Sequence, residues 1–73
     1  MKSIPLLASV AVTEDVPDQA LTRGQIGTVV EHLQRDQDCA LLVEFSDESG
    51  EMYAMAALRP EQLIVLHRKT EAA

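Results

Sequence analysis

The chain has no tryptophan, and one tyrosine and one phenylalanine are its whole aromatic supply. A core must therefore be assembled from Val, Leu, Ile, Met and Ala, which bury less area per side chain than aromatic rings do. Cysteine is limited to Cys39, so no internal disulfide can staple the fold. That excludes the disulfide-rich secreted class and fits a reducing cytosol, so the expected location is cytoplasmic. Positive charge is scarce: six Lys and Arg stand against twelve Asp and Glu, for a formal charge of −6. Nucleic acids and anionic membrane surfaces repel such a field, because binding to either begins with clustered cations. No stretch approaches the roughly 18–20 apolar residues that a bilayer-spanning helix needs.

What is present is enough for one small globular domain. The length is 73 residues and the apolar content is 47%, which argues against disorder. We read residues 1–73 as a single domain, with 1–7 as a leader and 68–73 as a frayed tail. Lys2 followed by Ile4-Pro5-Leu6-Leu7-Ala8 faintly resembles the charged and apolar regions of a signal peptide. Cleavage near Ala11 would remove a strand that so small a domain can hardly spare, so a leader entering a first strand is the better reading.

The pattern of apolar residues is that of strands. Residues 8–13 read as a first short strand, with Val10 and Val12 on one face. A polar loop over 14–25 follows, in which Pro17 disfavours helix at Val16 and Gly24 supplies turn geometry. Leu21 within it is expected to tuck beneath the sheet. Residues 26–33 form the second strand, where Gly27 suggests a bulge or sharp bend. A polar connection over 34–38 leads to a third strand over 40–45, with Leu41, Val43 and Phe45 alternating inward. Ser46-Asp47-Glu48-Ser49-Gly50 is a hairpin signal, and 51–58 return as the fourth strand. Arg59-Pro60-Glu61-Gln62 reads as one tight or 3-10 turn before a fifth strand over 63–67. The expected fold is therefore all-β, a small five-stranded SH3-like barrel with one 3-10 turn before the last strand.

The stretches Ser9–Pro17, Leu21–Glu31, Val43-Glu44-Phe45, Tyr53-Ala54 and Leu58–Leu63 resemble, in that order, DUF4926, a bacterial family of short proteins of unknown function. The resemblance spans roughly residues 6–67. It implies an SH3-like barrel and brings no catalytic residues with it. It also implies a role beside small toxin-like or stress-related loci, hence an interaction with a neighbouring gene's product. Arg23-Gly24-Gln25-Ile26-Gly27-Thr28-Val29-Val30 is similar to the KOW-type turn of ribosomal and transcription-factor barrels. A glycine on each side of a bend is also what such strand geometry needs by itself, and the likeness implies either that geometry or a KOW-like role.

Chemistry-bearing residues are few. His32 and His67 are the only histidines, and with Glu31 or Glu44 they offer a conceivable metal site. No ligand pair at i,i+2 or i,i+4 supports it, so solvated strand-end histidines are expected and no metal or cofactor is assigned. Cys39 has Asp38 beside it, which disfavours a thiolate, and we expect a plain small residue there. The acidic sets Asp47-Glu48-Glu51 and Glu14-Asp15-Asp18 lack the alternating spacing of a calcium loop and read as solvated turns. No catalytic residue is assigned, and the chain is not expected to be an enzyme.

The fourth strand is the anomaly. Strict alternation puts Tyr53, Met55 and Ala57 on one face and Met52, Ala54, Ala56 and Leu58 on the other. Both faces are then apolar, and Leu63-Ile64-Val65-Leu66 repeats the pattern. Either the leader, with Leu6 and Leu7, covers the outer face, or another protein does. The second reading makes the chain an interaction module with itself as partner, contacting through Met52, Tyr53, Met55 and Arg59. A KOW-like nucleic-acid or ribosome-associated barrel is the alternative, and a small-ligand or metal-binding regulator on the histidines is another.

Overall fold

The computed structural model describes residues 4–67. The strands are β1 (Ser9–Val12), β2 (Ile26–Arg35), β3 (Asp38–Ser46), β4 (Met52–Leu58) and β5 (Leu63–Val65). They form one antiparallel sheet in the order β4-β3-β2-β1-β5, and among the described residues no helix is longer than a 3-10 turn. The fold is thus all-β and barrel-like, as the strand count and the hairpin signals imply. The sheet is open, with β4 and β5 as its two edges.

One face of this sheet makes the core. Directly paired residues of neighbouring strands share a face, so Val29, Val43 and Ala56 line up across β2, β3 and β4, as do Leu41 and Leu58. Val10 and Val12 of β1 and Leu63 of β5 complete the row, and Phe45 is the largest side chain fully enclosed. Leu21 reaches the core from the long loop and is buried, as expected. The alternation of Leu41, Val43 and Phe45 is legible in the β3 burial pattern.

Gly27 serves a purpose other than a bulge. It stands opposite Phe45, and a Cβ there would sit 2.7 Å from Val43 Cγ1, 2.8 Å from the Glu44 carbonyl oxygen and 2.9 Å from Phe45 Cδ1. The missing side chain leaves the space that Phe45 fills. The bulge of β2 falls further on, between Val29 and Glu31, where the register with β3 shifts. Gly27 suggests a bulge in the sequence because a bend and a close approach call for the same residue.

Three other expectations need correction. The connection over 34–38 shrinks to Asp36-Gln37, because Leu33, Gln34 and Arg35 pair with Ala40, Cys39 and Asp38. Asp36 takes φ 55°, which an aspartate tolerates better than most residues. The long loop holds a second 3-10 turn, Pro17–Gln19, that its polarity concealed. Pro17 starts it with a preset φ, Ala20 at φ 56° ends it, and a bridge between Val16 and Leu21 closes the loop beneath. Finally, β5 ends at Val65 instead of residue 67, although the Leu66 N–H still donates to the Ser9 carbonyl (2.8 Å). The turn before β5 is where it was expected, at Pro60–Gln62. The expected tail, 68–73, lies outside the described residues.

Candidate functional site

β4 carries three of the four residues singled out in the sequence, and its backbone is irregular where they begin. Phe45 pairs with Ala54, but the next residue, Ser46, pairs with Met52, so Tyr53 is an extra residue on β4. Such a bulge interrupts strict alternation. It shifts Met52 onto the face of Ser46, which is also the face of Met55 and Glu44. The faces read from the sequence are therefore corrected: Met52 and Met55 share the outer face. Tyr53 turns toward the core side instead, its ring 6.4 Å from Phe45 and its hydroxyl accepting from Gln25 Nε2 (3.0 Å). Alternation misses this because nothing in Met-Tyr-Ala-Met announces an inserted residue.

These side chains are exposed: Met52 by 50%, Tyr53 by 52% and Met55 by 46%. Among the described residues of the leader, 4–7, none lies over them. This segment runs along β2, where the Leu7 N–H donates to the Val29 carbonyl (2.7 Å) and His32 Nε2 meets the Ile4 carbonyl (2.6 Å). β3 lies between it and β4, and Leu6 and Leu7 are themselves exposed. A second apolar group lies elsewhere on the outer face, where Ala11 stands between Ile26 and Ile64. Glu44 and Thr28, paired across β3 and β2, separate the two groups. β4 and β5, opposite edges of the sheet, thus present two separate patches.

The hydrogen bonds of the ladder follow a consistent parity. Antiparallel residues point both N–H and C=O either toward or away from a given neighbour. Leu7 and Ala8 bond Val29, so Val29 faces β1, and Thr28 and its partner Glu44 face each other. Met55, opposite Glu44, consequently turns its N–H and C=O away from β3, and Ala57 does the same. The Ala57 carbonyl is taken by Gln19 Nε2 from the long loop (3.1 Å). Among the described residues no loop or side-chain hydrogen bond to the Met55 backbone groups is found.

Arg59 sits at the entrance to the 3-10 turn. Its N–H donates to Gln62 Oε1 (2.9 Å), its carbonyl accepts from the Gln62 N–H (2.9 Å), and its guanidinium pairs with Glu61 (3.4 Å). Both partners of that pair are open to water, so the pair adds little to stability. The same turn is tied to the end of β1, with Thr13 N–H donating to the Gln62 carbonyl (2.9 Å). Arg23 is held by its backbone, whose N–H donates to Asp15 Oδ1 (2.9 Å).

The remaining candidates are dispersed. His32 stands opposite Leu41, while His67 lies with Ser9, Ile26 and Leu66 in a shallow groove at the other end of β2. From Ile26 to His32 is six residues of strand, about 20 Å. Among the described residues no three His, Cys, Asp or Glu side chains gather closely enough to hold a metal. Cys39 is an exposed free thiol on β3. The Asp47 turn is built by its own side chain: Oδ1 accepts from Ser49 N–H (3.0 Å), Ser49 Oγ (2.9 Å) and Glu51 N–H (3.0 Å). These donors, the Glu51 amide foremost, hold its carboxyl below the ordinary value of 3.8. Among the described residues no helix is long and apolar enough to cross a membrane.

Comparison with curated proteins and with solved structures finds no match in either. Residues 6–65 match the model of a family described as a domain of unknown function, the one the ordered stretches of sequence resemble. With nearly the whole described fold inside the match, the chain belongs to the DUF4926 family.

Proposed function

We propose that the chain is a non-catalytic protein-interaction module of the cytoplasm that associates with a second copy of itself through β4. Met52 and Met55 form the contact, Tyr53 braces it, and Arg59 lies at its rim. One observation carries the reading. In a protein of formal charge −6, β4 has no charged residue, and its outer methionines stay about half exposed. Exposed apolar groups of this kind are where soluble proteins meet partners. Methionine suits the task because its flexible thioether repacks against varied surfaces.

Charge argues against the nucleic-acid alternative. Among the described residues the Lys and Arg are Arg23, Arg35 and Arg59, scattered over different elements, with Arg59 already beside Glu61. The exchange of counterions that drives nucleic-acid binding needs a cluster.

Sedimentation velocity over a wide concentration range tests the reading. The weight-average sedimentation coefficient is expected to rise with concentration. The doubly substituted M52E/M55E chain should stay monomeric, because two like charges per copy would then meet. A wild-type chain that remains monomeric throughout would refute self-association.

A further inference from the structure

We propose that the second copy joins by strand addition, β4 against β4 in antiparallel register about a two-fold axis at Met55, making one sheet across both molecules. The inference rests on the interaction reading above and says how the contact is made. β4 is a sheet edge of seven residues, whereas β5, the other edge, has three. Natural edges are usually blunted by Lys, Pro, charge or shortness. β4 has none of these, and among the described residues its protection amounts to the Tyr53 bulge and the Gln19 amide on the Ala57 carbonyl.

Met55 is where a partner strand can bond. Its N–H and C=O both point outward, so an axis at this residue lets each Met55 N–H donate to the other copy's Met55 carbonyl. The same operation sets Met55 beside Met55 on the outer face, with Met52 of each copy extending the row. Half-exposed methionines of both molecules then cover one another.

Self-complementarity makes a second copy the occupant: the outward N–H and C=O of one Met55 meet the same pair on the other, and β4 brings no charge to the seam. Two chains of −6 repel, and they can approach only where acids are distant. The outer-face acid paired with Met55 is Glu44 on β3. Across the joined sheet the two Glu44 lie three strand spacings apart, about 14 Å. That exceeds the Debye length of about 8 Å at physiological salt, so their repulsion is screened. The arrangement is isologous and closes at two copies, because each β4 edge is consumed.

The test separates edge pairing from packing of the face. Met55→Pro removes an outward N–H, which an edge strand tolerates without loss of a bond to β3. Met55→Thr removes the apolar side chain and keeps the N–H. Sedimentation of the two variants, with thermal melts to confirm folding, should show M55P monomeric and M55T still associating, about ten-fold more weakly. In the wild-type chain, amide hydrogen exchange at Met55 should slow as concentration rises, a readout that does not depend on either variant folding. Association by M55P equal to wild type, or a Met55 amide that stays fast where dimer is present, would overturn strand addition and leave the interaction reading standing. Monomer at every concentration would defeat both and hand the edge to a strand of another protein.

Discussion

Replacing Gly27 by alanine tests the packing on which the rest of the fold is hung. The added Cβ would lie within 3 Å of Val43 Cγ1, the Glu44 carbonyl oxygen and Phe45 Cδ1. Val43 and Phe45 are fully buried and the third neighbour is backbone, so none of the three can swing aside into water. Forcing a methyl group into a filled core costs about 1–3 kcal/mol. Three simultaneous contacts argue for the upper end of that range. Against this, alanine restricts the unfolded chain and returns about 0.4–1 kcal/mol. The net expected loss is about 2 kcal/mol. A 73-residue domain holds only about 4–11 kcal/mol in all, and at this size each kcal/mol moves Tm by about 4–8 °C. Thermal and urea melts should therefore show Tm lowered by about 8–16 °C. Val43→Ala in the same chain should relieve part of the strain, giving a coupling of at least about 0.5 kcal/mol in a double-mutant cycle. An unchanged or raised Tm for G27A would refute the close approach, and additive effects would refute Val43 as the neighbour that resists.

Three further outcomes follow from the same geometry. Asp47 has its folded pKa depressed, so its contribution is present above the unfolded value and is lost as pH falls through the folded one. Melts across acid pH should show that loss below about pH 4 in the wild-type chain and a smaller pH dependence there in Asp47→Ala, whose turn is weaker at neutral pH. Leu63→Ala should cost about 2–5 kcal/mol by emptying a core position, whereas Arg59→Ala, which breaks only a solvated ion pair, should stay within about 0.5 kcal/mol in urea melts. Gln19→Ala frees the Ala57 carbonyl on the β4 edge and should tighten self-association about two- to ten-fold by sedimentation; weaker association would count against Gln19 as a guard of that edge.

Much of the fold was legible because its signals are local. Alternation in Leu41, Val43 and Phe45, the Ser-Asp-Glu-Ser-Gly turn, and Pro60 before a β-branched run each report on a few neighbouring residues. Where the reading slipped, the missing information lay on another strand. Gly27 by itself suggests a bulge, and it is Phe45 opposite it on β3 that makes it a close approach instead. Strict alternation exchanges the faces of Met52 and Tyr53 because the inserted residue shows only in the register with β3. The candidate surface was legible in composition, since an uncharged strand in an acidic chain stands out. Its division into two patches was not, because strand order is a property of the whole sheet.

The amino-acid sequence by itself determined the class of this protein: the number of strands and their succession along the chain, an inward-facing aliphatic core and no internal disulfide. Those follow from side-chain period, turn chemistry and residue counts, which act over a few bonds. Only the tertiary structure decided that β4 is an edge, that residues 4–7 lie along β2 away from it, and that Met55 turns its backbone outward. Such matters depend on which strands pair and in what register, and pairing is set by contacts between residues far apart in the chain.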